Sequence, residues 1–250
     1  MLLLSVGLLA ACAIPDEPDP TATPEPTQTP LAEATSAPAI RTEPVGAGFT
    51  LPVSITHAGD ERLFVAQRNG VIHVMQPDGT SSVFLDLSEQ VTDDQAETGF
   101  FSIAFHPDYL DPAAPNSGQF FVTYTGKVDE VVNTFLSRFT VSDDPNVADP
   151  DSETWLLQIE QKQPVHKGGG LDFDKTTADL FVGIGDDWQP WTSQDPDALN
   201  GKVLRLSVSD IPADLTGDAT ALITPEVWAM GLRNPWRVEV DEAGDQILCR

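Results

Sequence analysis

The chain has 250 residues, and its 39 acidic side chains against 13 Lys and Arg leave a formal net charge of −26. That surplus argues against nucleic acid or an anionic lipid surface as a partner, because both are held by cationic patches. It suits a dispersed extracytoplasmic protein, and the length allows one large domain or two small ones.

Met1 to Ala11 is almost wholly apolar. It is too short for a bilayer, which takes about 20 residues, but it suits the hydrophobic part of an export signal. It ends in Leu9-Ala10-Ala11-Cys12, which resembles a bacterial lipobox. Residues 1–12 are therefore read as a lipoprotein signal peptide with Cys12 as the lipidation site, and membrane attachment is through that lipid alone. An ordinary cleaved signal with an incidental cysteine is the alternative. Two acyl chains, at about 0.8 kcal/mol per buried CH2, give stable anchoring on a membrane face. Cys249 is then the remaining thiol, so no disulfide framework is expected, and its apolar neighbours predict burial.

Residues 13–47 are rich in Pro and Thr and contain no aromatic side chain. With nothing to bury and few backbone donors, this stretch is expected to be an extended, disordered tether. From 48 to 250 the pattern changes to short period-two apolar runs punctuated by Gly, Pro, Asn and Asp, with no helical stripe of useful length. One unit recurs: an apolar run, a polar turn, and a second apolar run. Its copies are Val53–Ile55 with Leu63–Val65, Phe101–Phe105 with Phe120–Val122, Leu171–Phe173 with Leu180–Val182, and Trp236–Val238 with Ile247–Leu248. Val65 to Val122 is 57 positions, Val122 to Val182 is 60, and Val182 to Leu248 is 66.

Such spacing predicts an all-β, six-bladed type of β-propeller present here as about three to four blades, since propellers close with about 4 to 8. The second copy is the most complete, with further strands at Thr134–Val141 and Thr154–Ile159 and turns at Asp143–Asn146 and Asp149–Asp151. A β-sandwich is the competing architecture. The chain stops inside a strand-like run at Arg250, which reads as the N-terminal part of a longer propeller.

Blade register places four polar groups at comparable strand ends: Glu97, His166, Asp186, and the pair Arg233 and Asn234. His166 beside a carboxylate is a candidate general base, because an acid on one ring nitrogen fixes the tautomer and stabilises the imidazolium. A plain strand-end histidine and a turn aspartate are the alternative. Arg233 suits a carboxylate or a developing oxyanion on a flat ligand, and Asn234 both donates and accepts. Gly168-Gly169-Gly170 lacks the dinucleotide fingerprint. No zinc or EF-hand spacing occurs, and Asp210, Asp214 and Asp218 are only a weak calcium candidate. His106 reads as a turn residue, while His57 and His73 have no evident partner.

Five segments in order then resemble the glucose/sorbosone dehydrogenase family of soluble quinoproteins. They are Glu97 to Asp108, His166 to Phe173, Val182 to Asp186, Leu199 to Leu206, and Pro225 to Trp236. The resemblance implies a six-bladed propeller holding pyrroloquinoline quinone (PQQ), with calcium, at the channel mouth, and an aldose sugar as substrate. It makes His166 the base and Asp186 its orienting partner, with Arg233, Asn234 and Glu97 at the cofactor. Calcium ligands and further basic contacts are expected downstream of Arg250. The chain departs from the pattern at Lys167, where Asn is usual, and at Asp187 and Trp188, where glycines are usual; a bulky Trp there would reshape the substrate entrance. A non-catalytic glycan- or protein-binding propeller and a propeller hydrolase are the other readings.

Overall fold

A computed structural model describes residues 40–241 and 246–250. Cys12, the rest of the expected signal and the tether up to residue 39 lie outside the described residues. The chain divides into two compact units, Met1–Glu43 and Pro44–Arg250. Of the first, residues 40–43 are described, with an exposed Arg41–Glu43 ion pair at 3.0 Å. Among the described residues no helix is long and apolar enough to cross a membrane.

The second unit is built from strands and two single 3-10 turns. Strands β1 (Pro52–Thr56), β2 (Leu63–Gln67), β3 (Val71–Met75) and β4 (Ser81–Asp86) form an antiparallel sheet in sequence order. Next come β5 (Phe100–Phe105), β6 (Gln119–Val128), β7 (Val131–Val141) and β8 (Ala148–Glu160), again in sequence order. A third sheet starts with β9 (Gly168–Phe173), β10 (Asp179–Ile184) and β11 (Lys202–Ser207). The short β12 (Gly217–Asp218) leaves it to pair in parallel with β8, and β13 (Glu226–Met230) completes it beside β11. Strands β14 (Val238–Val240) and β15 (Ile247–Cys249) form a final two-stranded ladder.

The first strand of each sheet packs beside the first strand of the next, β1 on β5, β5 on β9, and β9 on β14. Sheets related in that way radiate from a common axis, as propeller blades do, and three and a half of them are present. The expected propeller stands, and the sandwich does not.

Period-two alternation explains why blades form and stack. Along β6, Phe120, Val122 and Tyr124 face the first blade, in a core with Phe64, Ile72, Val74 and Phe84. Phe121, between them, faces the third blade and packs with Leu171, Phe173, Leu180 and Val182. Along β10, Leu180 and Val182 join that core, whereas Phe181 points the other way, to Val203 and Val238. The cores thus lie between blades, and every blade is apolar on both faces.

Two expectations are corrected. Asp149–Asp151 is not a turn but part of β8, whose pairing with β7 shifts register between Arg138 and Thr140. The irregularity accommodates Pro150, and the Thr140 amide instead donates to Ser152 Oγ at 2.9 Å. Cys249 is exposed, not buried: among the described residues β15 pairs only with β14.

The remaining histidines are local. His73 Nε2 sits 3.1 Å from the Gln67 amide nitrogen, and His57 Nδ1 accepts from the Gly59 amide at 3.0 Å, so both have partners that sequence spacing did not reveal. His106 ends β5 as a buried turn residue: its Nδ1 accepts from the Asp108 amide at 3.1 Å, and its Nε2 meets Ser209 Oγ at 3.3 Å. Burial, against the Phe173 ring, pushes its pKa below the ordinary value, and the Asp108 carboxylate opposes this only in part. The unfolded chain takes up a proton near pH ~6.5 that the folded chain resists. Stability is therefore held above that pH and lost as pH falls towards the lower folded value. Urea midpoints at pH 5.5 and 7.5 should differ less in His106→Asn than in the wild type.

Candidate active site

The site forms where the inner strands begin. Glu97 precedes β5, His166 precedes β9, Asp186 follows β10, and Arg233 and Asn234 precede β14. Close strand approach there requires glycine. A Cβ on Gly169 would enter the Phe101 ring, and one on Gly185 would strike the His166 carbonyl. These glycines thus let strands and neighbouring backbone approach closely.

His166 is buried and has a left-handed backbone with φ of 61°. Its Nδ1 lies 2.7 Å from Asp186 Oδ1, and both side chains are more than nine-tenths buried. A carboxylate accepts only, so it places the ring proton on Nδ1 and leaves Nε2 to take a proton. Asp186 is held in turn, its amide donating to the Arg233 carbonyl at 2.9 Å.

Glu97 ties His166 to the fourth blade. Its Oε2 accepts from the His166 amide at 2.6 Å and from Asn234 Nδ2 at 3.2 Å, while Asn234 Oδ1 accepts from the Gly168 amide at 2.9 Å. Three blades are therefore joined around one histidine by a charge-assisted bond and an amide bridge. His166, Asp186 and Arg233 line one cleft of about 370 Å³, together with Trp188, Pro190 and Ser193. The structure brings together all five site residues expected from the sequence. Glu97, however, bonds the His166 amide, Asn234 bonds the Gly168 amide, and the two bond each other.

Beneath this pair lies a second one that was not anticipated. Lys167, fully buried, donates to Asp187 Oδ1 at 2.9 Å and to the Gln161 carbonyl at 2.6 Å. Burial pushes its pKa below the ordinary lysine value, and the Asp187 carboxylate opposes that shift. Asp187 also accepts from the Lys162 amide at 2.8 Å, the Gln163 amide at 2.9 Å and Gln189 Nε2 at 3.1 Å. The two departures from the family pattern are thus partners. A signal existed in their spacing: Lys167 and Asp187 are 20 residues apart, as are His166 and Asp186, and carry opposite charges.

Trp188 is 57% exposed beside His166. Its ring centroid is 4.8 Å from that of His166, tilted by 38°, and the Arg233 guanidinium lies 5.7 Å from the indole. A more apolar hollow of about 360 Å³, around Phe49, Val53, Val65 and Met75, is lined by no titratable side chain. Among the described residues no group of three or more His, Cys, Asp or Glu is placed to hold a metal ion, so Asp210, Asp214 and Asp218 do not form one.

Fold and site together define a β-propeller with a carboxylate-oriented histidine and an arginine at the start of its inner strands. The glucose/sorbosone dehydrogenase family model matches residues 49–249, and the chain belongs to that family. It is 29% identical over 225 residues to the Hedgehog-interacting protein of Mus musculus, covering 79% of this chain and 31% of that protein. An aldose sugar dehydrogenase of Escherichia coli is 39% identical over 71 residues, 28% of this chain and 19% of that protein. The PQQ-bound aldose sugar dehydrogenase of Streptomyces coelicolor has the same fold, with a TM-score of 0.63 at 20% identity, over 82% of this chain and 57% of that one. The chain thus spans about a third of the first of these relatives and over half of the solved structure.

Proposed function

We propose that the chain carries the base side of a sugar dehydrogenase site, oxidising the anomeric hydroxyl of an aldose with PQQ as acceptor. The observation that carries this reading is the 2.7 Å His166–Asp186 contact in a cleft shared with Arg233.

PQQ is a flat quinone bearing three carboxylates, and the residues fit its reacting edge. Arg233 offers a planar fork of donors for quinone or carboxylate oxygens, beside an aromatic wall and a base. The cofactor, when bound, supplies the acceptor for the hydride leaving C1 of the sugar. His166 Nε2 takes the hydroxyl proton as the C1–O bond becomes a carbonyl, giving the lactone. Asp186 holds the imidazole in register and stabilises the imidazolium, as in other base–carboxylate pairs. Glu97 and Asn234 fix the backbone that carries the base. Export and lipid anchoring through Cys12, on the outer face of a bacterial membrane or in the periplasm, complete the reading.

Protein supplied with PQQ and calcium is expected to reduce an artificial dye when an aldose is added. Dye reduction no faster than the quinone-free background would overturn the assignment. The likeness to a Hedgehog-interacting protein favours a second reading, a non-catalytic binding propeller. It predicts glycan or protein binding with no quinone uptake.

A further inference from the structure

Trp188 is a large aromatic side chain that the core does not use. More than half of it is exposed, and it stands at the cleft wall between the base and the arginine. Its placement is built rather than incidental. Asp187 and Trp188 are consecutive non-glycine residues in the left-handed region, with φ of 53° and 57°. Such conformations cost about 1–3 kcal/mol each and persist only when their surroundings over-determine them. The surroundings here are the four donors on the Asp187 carboxylate, the buried Lys167 ammonium among them.

One atom also registers the indole to the base. Asp186 Oδ1 accepts from His166 Nδ1 at 2.7 Å and from the Trp188 amide at 2.9 Å. A tilt of 38° keeps the two rings from stacking flat, so the indole is not simply a lid on the imidazole. A ligand that presents a hydroxyl to His166 Nε2 must set its ring beside the indole. Pyranoses have a C–H face that suits an aromatic wall, with hydroxyls around the rim that Ser193, on the same cleft, can meet while Arg233 serves the cofactor.

We propose that Trp188 is the stacking and specificity-determining residue of this site, holding the C–H face of an aldopyranose, and that the Lys167–Asp187 pair positions it. The inference rests on the sugar dehydrogenase reading above and names the surface that selects the substrate. A six-membered ring with an uninterrupted C–H face is preferred over an open-chain polyol, which has no such face.

The test uses methyl β-D-glucopyranoside, which offers the same ring but no anomeric hydroxyl to oxidise. Saturation-transfer NMR on the chain with PQQ present reads which sugar protons touch protein. Contact at the ring C–H protons is expected for the wild type. Trp188→Ala should weaken binding about 5–10-fold and lose those contacts, and Trp188→Phe should recover most of the affinity. For a reactive aldose the same loss should appear in KM, with kcat held within about twofold. Wild-type affinity and contact pattern in Trp188→Ala would overturn the proposal and leave the dehydrogenase reading standing. A wild-type chain that takes up neither quinone nor the glycoside would overturn that reading and the proposal with it.

Discussion

His166→Ala is expected to lower aldose turnover about 10²–10⁴-fold in the quinone-loaded protein, the range of a positioned general base. The loss should fall on kcat and kcat/KM alike, because the proton moves only in the transition state. Quinone uptake, followed by absorbance, should persist, since the proposed function gives the cofactor's anionic groups to Arg233 and not to His166. Asp186→Asn keeps the shape and one acceptor oxygen for the imidazole Nδ1–H, but its amide group can also donate, so the tautomer is no longer fixed. It also takes a charge from beside the imidazolium. A smaller fall in kcat than for His166→Ala is expected, and added imidazole should restore part of the turnover to His166→Ala but not to Asp186→Asn. Wild-type turnover in His166→Ala would refute the base assignment outright.

Lys167→Met is expected to destabilise the second unit by about 3–5 kcal/mol, the usual cost of breaking a buried ion pair by removing one partner. Methionine nearly conserves volume but cannot donate, so Asp187 keeps its charge with one donor fewer and the Gln161 carbonyl loses its ammonium. For a domain of roughly 200 residues each kcal/mol corresponds to about 2–4 °C, so a drop in Tm of about 6–20 °C should be seen. Asp187→Ala should be at least as severe. It strands the Lys167 ammonium and also frees the Lys162 and Gln163 amides, which have no other acceptor in the turn. A Tm within 2 °C of wild type for Lys167→Met would mean that water reaches the pair on opening of the 186–189 turn; thermal scans followed by circular dichroism decide this.

The blade pattern was legible because it is local. Alternation such as Phe120-Phe121-Val122 and turn signals at near-constant spacing specify strands and their order without reference to distant residues. Repeat register even brought Glu97, His166, Asp186 and Arg233 to one place, since strand starts in successive blades are equivalent positions. What register cannot supply is the bond each side chain makes once there. Glu97 accepts from the His166 amide, a bond that strand register does not reveal. Lys167 and Asp187 read separately as departures, and only folding showed them to be one buried pair.

Local patterning by itself determined the all-β class, the repeating unit and His166 and Asp186 as candidates, because period, turn chemistry and acid–base character belong to single residues and their neighbours. Only tertiary structure decided that Asp186 serves both the imidazole and the Trp188 amide, that the glycines serve strand packing, and that Cys249 is open to solvent. Those outcomes depend on separations of a few ångströms between segments 20 or more residues apart, such as His166 and Asp186. A hydrogen bond loses its strength steeply over that range, and sequence spacing does not measure it.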